Sequence, residues 1–578
     1  MAPTDQLQEV KIMLHGTAAS EGIGIGKVML IEEHSLEYTP RTVTDTEAES
    51  QRFKAAVDAF CYNTEKQAEN LRSSAGEKEA EILAGHIQII KDPYLSGEIE
   101  KLIADGQCAE SALEHMCDMF IAMFSAADDE LTKQRAADVR DIKSGVLGIL
   151  LGVNEIKVSD APKGTVLVAR ELTPSVTAGI VKENIAGIIT ETGGTTSHSA
   201  ILARALEIPA VLSVEGVASS LKNGDTVVVD GSEGAVIVNP DDNTVAEYSK
   251  KRDAFLAERK ELENYRGRET KSASGEAYEL FCNIGKPEDA VKAVDADGEG
   301  VGLFRTEFLF MDRTSIPTED EQFEAYKKAA LILKGKSLII RTLDIGGDKD
   351  IPYLGLEKEE NPFMGFRAIR YCLKNRELFK SQIKAILRAS AFGDIKIMFP
   401  LITTMDELCE GKKLVAECKA DLRNMGINFN EDIQVGVMVE TASAAVIADM
   451  LAKEADFFSI GTNDLTGYTM ACDRGNNDVS YLYSPLQPSV LRMIKRTIEC
   501  GVQNGISVGM CGEAAANKLM IPLLISFGLT EFSVSAPSVL NVRKIISTWT
   551  KEEADKVTAK VLEMSTQQEI VEYLKSVV

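Results

Sequence analysis

A single histidine, His198, stands in the segment TETGGTTSHSAILAR (residues 190–204), behind two glycines and a run of hydroxyl residues, where a helical pattern begins. No serine and aspartate are placed around it as in a catalytic triad, and it lacks the neighbouring histidine or cysteine of a zinc site. Two interpretations remain: a helix-start histidine held by a backbone partner, or an imidazole nucleophile towards phosphorus. Gly193 and Gly194 would admit a phosphoryl group to the backbone, and the helix start would hold its charge, which favours a phosphorylated histidine.

A second set of polar residues follows apolar runs in the C-terminal half of the chain. Its members are Arg305 and Glu307, Arg341 and Asp344, Glu440, Asn463 and Asp464, and Cys511 and Glu513. Taken singly, Arg341 fits a structural ion pair as well as a ligand role, and Cys511 fits a small buried hydrophobe. Arginine forks bind phosphate or carboxylate oxygens in pairs, whereas carboxylates such as Glu440 and Asp464 suit Mg²⁺. Together the set predicts a site for a multiply anionic ligand bridged by a metal.

The elements that must position this second set are eight apolar or β-branched runs in the last 300 or so residues. They are ELFCNIG, GVGLFRTE, SLIIRTLD, IKIMFPLI, IQVGVMVET, FFSIGTND, SVGMCGE and EFSVSA. Amphipathic helical stretches separate most of them. Eight buried strands that alternate with helices predict a (β/α)8 barrel, in which the chemistry collects at the carboxyl ends of the strands.

The N-terminal half predicts a multidomain α/β arrangement. A first strand, GIGIGKVMLI, precedes a long amphipathic helical region, and the strand-like runs GTVLVA, IAGIIT, AVLSV, DTVVVD and AVIVNP follow it. The first strand must join the later ones, so the helices read as an insertion. We predict a phosphohistidine α/β domain (1–35 and 150–240), an inserted four-helix bundle (36–149), a helical linker (241–275) and the barrel (276–578).

Composition restricts the function further. The chain has 578 residues and a net charge of -26, which disfavours nucleic acid or an anionic membrane as a partner. Its ten scattered cysteines read as reduced thiols, and its five histidines cannot supply a His-rich metal site. It has neither an apolar run of about 20 residues nor a signal-peptide core, so we expect a cytoplasmic protein without membrane insertion.

Several segments resemble a known family. GGTTSHSAILAR is similar to the phosphohistidine signature of phosphoenolpyruvate-utilising enzymes, and DFFSIGTNDLTGYTMACDRGN is similar to their second signature. With GVGLFRTEFLFMDR, RTLDIGGDK, NPFMGFRAIR, VMVET and GMCGE, they resemble the Enzyme I family of the bacterial phosphoenolpyruvate:sugar phosphotransferase system over almost the whole chain. Two departures, Leu202 for methionine and Gly467 for glutamine, touch no implied role.

The resemblance implies a role for each matching residue. His198 would be phosphorylated on Nε2, and Cys511 would protonate the enolate carbon. Phosphoenolpyruvate would be bound by Arg305, Arg341 and Arg474, with Arg367 and Asn463 beside them, and Mg²⁺ by Glu440 and Asp464. The helical insertion would dock the histidine-containing phosphocarrier protein, with Glu81 and His86 in the docking helix, and the barrel would form a homodimer.

The expected activity is a phosphotransferase with two half-reactions. His198 takes the phosphoryl group of phosphoenolpyruvate, which releases pyruvate, and passes it to the phosphocarrier protein in the first steps of sugar uptake. The alternatives are a related dikinase or synthase, which would need an additional ATP-binding domain, and a regulatory scaffold that has lost catalysis. A nitrogen-regulatory relative would carry an extra N-terminal sensory domain, whereas the first strand here is expected within the opening 30 residues.

Overall fold

The computed structural model describes residues 12–31, 36–74, 77–126, 130–153, 158–172, 174–177, 180–194, 197–311, 313–346, 351–473, 476 and 478–578. The chain divides into two compact units, Met1–Arg259 and Lys260–Val578. None of the helices in the described ranges combines the length and apolar character needed to cross a bilayer.

The first unit is built on a mixed sheet. Its strands are β1 (Ile12–His15), β2 (Thr17–Ser20), β3 (Ile23–Ile31), β4 (Thr165–Ala169), β5 (Ile185–Thr190), β6 (Ala210–Leu212), β7 (Thr226–Asp230) and β8 (Ala235–Val238). Their order is β1-β8-β7-β3-β4-β5-β6-β2. The predicted first strand is β3, which pairs in parallel with β4 and antiparallel with β7. The sheet therefore joins segments on both sides of the helical region.

Five helices lie between β3 and β4 in the described residues, where four were predicted. They are α1 (Thr46–Ser74), α2 (Glu77–Ile90), α3 (Pro93–Ala104), α4 (Ala109–Ser125) and α5 (Glu130–Leu151). A new helix begins at Pro93 because the Asp92 carboxylate accepts from the Tyr94 N–H at 2.9 Å and proline suits the first helical turn. Phe53, Ile99 and Val139 are among the side chains in the buried bundle core.

Four further helices follow in or after the sheet. They are α6 (Pro174–Thr177), α7 (His198–Leu206), α8 (Val217–Ser220) and α9 (Asp242–Leu262). Helix α9 falls within the predicted helical linker and is polar along most of its length, with only Thr244 and Tyr248 buried.

The second unit contains the closed barrel that the eight runs predict. Its strands are β9 (Glu279–Ile284), β10 (Gly300–Arg305), β11 (Leu338–Arg341), β12 (Ile395–Phe399), β13 (Val435–Val439), β14 (Phe457–Ile460), β15 (Ser507–Met510) and β16 (Glu531–Val534). All neighbouring strands are parallel, and β16 closes the barrel onto β9. The predicted fold class is confirmed.

Helices of the second unit separate the strands and complete the C-terminus. They are α10 (Asp289–Asp295), α11 (Glu319–Leu333), α12 (Ala368–Lys374), α13 (Arg376–Ala389), α14 (Met405–Asn424), α15 (Ala442–Val446), α16 (Ala448–Leu451), α17 (Thr462–Met470), α18 (Pro488–Gln503), α19 (Ile521–Phe527), α20 (Val539–Thr548), α21 (Lys551–Glu563) and α22 (Gln567–Val577). The carboxyl ends of the eight strands, here called the barrel mouth, meet at one end of the barrel.

Candidate active site at the barrel mouth

Arg341 is the buried centre of a charge cluster at the barrel mouth. It is the last residue of β11 and lies in register with Arg305 on β10. Its Nη2 lies 2.7 Å from Glu307 Oε1, and its Nη1 lies 3.0 Å from Asp344 Oδ2. Burial works to lower the pKa of Arg341, but Glu307 and Asp344 outweigh it and raise the pKa. The guanidinium therefore stays charged.

Arg367, which caps α12, joins the same cluster from the following loop. Its side chain is buried, with Nη2 2.7 Å from Asp344 Oδ1 and 3.4 Å from Asp464 Oδ2. Burial again opposes the charge, and Asp344 and Asp464 raise the pKa of Arg367 above its ordinary value. One carboxylate, that of Asp344, thus bridges two arginines.

Both arginines keep a donor for a ligand. Among the described residues, the Nε atoms of Arg341 and Arg367 are buried without a hydrogen-bond partner. Such a donor costs free energy unless an acceptor arrives. Half-buried Arg305 makes no ion pair or side-chain hydrogen bond within the described ranges. The cluster therefore presents unused cationic donors at one place, as a multiply anionic ligand requires.

Glu440 follows β13 and lies against these charges. Its Oε1 accepts a hydrogen bond from the Leu401 N–H at 2.7 Å. Burial, followed by Asp464 and Asp344, raises the pKa of Glu440 to about 8. A Cβ added at Gly461 would lie 2.8 Å from Glu440 Oε2, so a residue without a side chain leaves room for this carboxylate.

Glu440 and Asp464 fit a magnesium ion in two respects: the number of carboxylates and the repulsion between them. Within the described part of the chain, no group of three or more His, Cys, Asp or Glu side chains could hold a metal. Mg²⁺ in phosphate-binding sites takes one or two carboxylates and completes its octahedron with water and ligand oxygens. Glu440 and Asp464 meet that need, and a divalent cation would relieve the repulsion that raises the Glu440 pKa.

Cys511 follows β15 and is 4% exposed. It packs with Leu303, Ile339 and Met438 inside the barrel. Burial, with a contribution from Glu440, raises the pKa of the Cys511 thiol to about 11. The thiol is therefore protonated at neutral pH and can act as a proton donor.

Asn463 lies in α17, beside a cavity of about 430 Å³. The cavity is lined by Thr462, Asn463, Thr466, Tyr483, Pro485, Glu513, Ala514, Ala516 and Asn517. The Tyr483 hydroxyl donates to the Asn463 carbonyl at 3.0 Å, which fixes the start of α17. Arg474, the remaining predicted ligand, lies outside the described residues.

Tyr468 is a site residue that sequence reasoning missed. Its hydroxyl accepts from Arg367 Nη1 at 3.4 Å and donates to the carbonyl of Phe363. It therefore ties the loop before Arg367 to α17, the helix that carries Asp464. Since one of its partners is a backbone carbonyl, residue types alone gave no signal for this contact.

His198 is the first residue of α7 in the first unit. The Ser197 hydroxyl caps this helix by accepting from the Ala200 N–H at 3.3 Å. Before it, Gly193 has a φ of 104°, and the Ser213 hydroxyl donates to the Gly193 carbonyl at 2.7 Å. The imidazole of His198 lies outside the described atoms, so its phosphorylation stays a prediction.

Of the predicted docking pair, only His86 has a described side chain. On α2, His86 is 1% exposed, with Nε2 3.4 Å from Asp138 Oδ1 and Nδ1 3.7 Å from Asp141 Oδ2. An imidazole so enclosed by α5 presents almost no surface to a partner. The Glu81 side chain lies outside the described residues, and docking by these two residues stays a prediction.

Three regions of the chain match domains of one known protein family. Residues 259–550 match the PEP-binding domain of PEP-utilising enzymes, residues 15–135 match their N-terminal domain, and residues 161–234 match their mobile domain. The class is therefore that of the phosphoenolpyruvate-utilising enzymes.

Individual relatives show which enzyme of this class the chain is similar to. The phosphoenolpyruvate-protein phosphotransferase of Bacillus subtilis is 47% identical over 570 residues, which cover 98% of this chain and 99% of that protein. The enzyme of the same name from Priestia megaterium is 45% identical, covering 97% and 98%. A solution structure of an Enzyme I protein is 37% identical, covers 42% of this chain and 99% of that chain, and has a TM-score of 0.39.

The chain belongs to the phosphoenolpyruvate-protein phosphotransferase family. The predicted family and enzyme class are thereby confirmed, and the dikinase, synthase and scaffold alternatives are not favoured.

Proposed function

We propose that the chain moves the phosphoryl group of phosphoenolpyruvate to His198 and from there to a histidine-containing phosphocarrier protein, in the first steps of sugar uptake. Family membership supports the reaction class. The observation that carries the proposal is the cluster at the barrel mouth, where buried Arg341 and Arg367 retain unpartnered donors beside Glu440, Asp464 and a protonated Cys511.

The arginines bind and orient the substrate. Phosphoenolpyruvate carries a phosphate and a carboxylate, and Arg305, Arg341 and Arg367 offer guanidinium groups to both. A pair of opposite charges at 4 Å is worth about 4 kcal/mol at an effective dielectric of 20, against about 1 kcal/mol in water. Arg474 and Asn463 belong to the same proposed binding set.

Mg²⁺ is the proposed cofactor, and Glu440 and Asp464 would hold it. When bound, it neutralises charge on the phosphate oxygens. Glu440 must give up its proton to ligate, so the pKa of about 8 links metal binding to proton release.

The proposed phosphoryl step uses His198 as the nucleophile. His198 Nε2 attacks phosphorus in line, the new N–P bond forms, and the P–O bond to the enolate breaks. The enolate carbon then takes the proton of the Cys511 thiol, which yields pyruvate, and solvent returns a proton to the thiolate. Because this transition state is loose, positioning and charge neutralisation carry most of the acceleration.

The second half-reaction takes the phosphoryl group away from the barrel. The helical insertion is the proposed docking platform for the phosphocarrier protein, and its proposed docking helix is α2, which carries Glu81 and the buried His86. We also propose a cytoplasmic location and a homodimer through the barrel.

The test uses phosphoenolpyruvate with a labelled phosphoryl group and Mg²⁺, with and without purified phosphocarrier protein. We expect an acid-labile, base-stable label that His198→Ala abolishes and that the carrier removes from the wild type. His115→Ala, at an exposed histidine of α4, is the matched control and keeps the label. An undiminished label in His198→Ala refutes the assignment.

A further inference from the structure

Asp344 lies within the charge cluster, three residues after β11. It is 5% exposed. Each of its carboxylate oxygens contacts a different arginine: Oδ2 lies 3.0 Å from Arg341 Nη1, and Oδ1 lies 2.7 Å from Arg367 Nη2. The Asp344 carboxylate therefore bridges two guanidinium groups from separate elements, with one oxygen on each.

The position of this carboxylate conflicts with simple electrostatics. An anion beside a site for an anionic substrate repels that substrate, and charge alone predicts tighter binding without it. Two neighbouring guanidinium groups also repel each other, however, and a carboxylate between them fixes both. The geometry of the bridge decides between these effects, because Asp344 uses one terminal nitrogen of each arginine and leaves both Nε donors unpartnered.

We propose that Asp344 is a positioning residue, which holds Arg341 and Arg367 together so that one phosphoenolpyruvate molecule can engage both. This inference rests on the proposed function. The other partners of the two arginines in the described residues do not replace the bridge: Glu307 pairs with Arg341 but not with Arg367, whereas Asp464 and Tyr468 contact Arg367 but not Arg341. Glu440 acts on both arginines through its charge, without an ion pair to either within the described residues. Without Asp344, no ion-pair or hydrogen-bond partner of one arginine within the described residues also restrains the other.

A ligand that spans both arginines should depend on the bridge more than a ligand that occupies one. Phosphoenolpyruvate has two anionic groups, whereas inorganic phosphate has one. Loss of the bridge should therefore weaken the binding of phosphoenolpyruvate strongly and the binding of inorganic phosphate only slightly. A role in folding alone would lower the melting temperature without this difference between the two ligands.

The experiment compares Asp344→Asn and Asp344→Glu with the wild type in the full chain. Asp320→Asn is the control, since exposed Asp320 also pairs with an arginine, Arg388, but lies on α11. The measurements are KM for phosphoenolpyruvate, kcat for transfer, the inhibition constant of inorganic phosphate and the melting temperature.

We expect Asp344→Asn to raise KM at least tenfold and to lower kcat, with the phosphate constant changed less than threefold. Asp344→Glu, which keeps the charge but changes the reach, should fall between the asparagine variant and the wild type. If Asp344→Asn does not fold, the same difference between the two ligands is expected of Asp344→Glu.

Unchanged or tighter phosphoenolpyruvate binding in Asp344→Asn, or an equal loss for both ligands, overturns the inference. These outcomes leave the proposed function standing as long as the wild type forms phosphohistidine. Absence of phosphohistidine in the wild type would instead remove the proposed function itself.

Discussion

Glu531 gives the barrel a buried acid that the proposed chemistry does not use. It begins β16, at the amino-terminal ends of the strands, and is 6% exposed. Its Oε1 has no hydrogen-bond partner among the described residues. Gly302 and Gly509 make room for the carboxyl group, because an added Cβ at either would collide with it. Burial, with a contribution from Glu279, raises the pKa of Glu531 to about 8.

The sign of the resulting pH dependence follows from proton counts. The unfolded chain releases this proton near pH 4.3, whereas the folded barrel keeps it to about pH 8. Between these values the folded state binds more protons, so the free energy of unfolding falls by up to about 1.4 kcal/mol per pH unit. The loss in the free energy of unfolding is at most about 4 kcal/mol at pH 7, grows a little further up to about pH 8 and is constant above that.

Glu531→Gln removes the titration and keeps a neutral side chain of nearly the same size. The difference in melting temperature between this variant and the wild type should therefore increase, in favour of the variant, as pH rises from 5 to 8.5. At about 2 °C per kcal/mol for a domain of this size, the gain reaches about 5 to 10 °C. Calorimetry of the barrel transition at pH 5, 7 and 8.5 measures it.

The matched control is Glu563→Gln, at an exposed glutamate near the end of α21. This variant should follow the wild type at every pH. A constant offset between Glu531→Gln and the wild type would mean that Glu531 does not titrate in this range, and the reasoning from burial would fail.

Three further predictions concern the reaction. Cys511→Ser should slow pyruvate formation by about 10²- to 10⁴-fold with phosphoenolpyruvate affinity retained, because a hydroxyl is a much weaker acid than the thiol; unaltered turnover in a single-turnover assay contradicts the acid role. Glu440→Gln should raise the Mg²⁺ concentration needed for half-maximal phosphohistidine formation at least tenfold, and an unchanged magnesium titration removes Glu440 from the metal site. Deletion of residues 44–145 should spare phosphorylation from phosphoenolpyruvate and eliminate transfer to the carrier, whereas retained transfer would place docking elsewhere.

The barrel could be predicted from the sequence because each strand is short, apolar or β-branched, and bounded by polar residues. LIIR and VGVMV are buried along their whole length, as the sequence runs suggest. Strands β1 and β2 were missed because IMLH and TAAS are four residues each, and TAAS contains no large apolar residue. Their pairing with β8 and β6 is set by contacts distant in the sequence.

The sequence predicted the part of the candidate site that parallel strand topology determines. Polar residues after parallel strands must gather at one end of a barrel, and the structure brings Arg341, Glu440 and Asp464 together there. Arg367, which joins them, follows no strand directly and was expected only from the family resemblance. The bridge by Asp344 and the link by Tyr468 depend on side-chain geometry that spacing does not encode. The enclosure of His86 likewise depends on Asp138, 52 residues away.

Two buried glutamates lie at opposite ends of the barrel, and we expect one to affect the proposed reaction and the other to affect only stability. Burial raises the pKa of Glu440 and of Glu531 to about 8. Glu440 lies among arginines and carboxylates that a magnesium ion and an anionic ligand would complete, so we expect its ionisation to affect the proposed reaction. Among the described residues, the charged groups that act on Glu531 are Glu279 and Lys396, neither of which belongs to the proposed site, so we expect its ionisation only to weaken the fold. Glu531→Gln should therefore stabilise the barrel at neutral pH and leave phosphohistidine formation unchanged, whereas Glu440→Gln should impair the reaction whatever it does to stability.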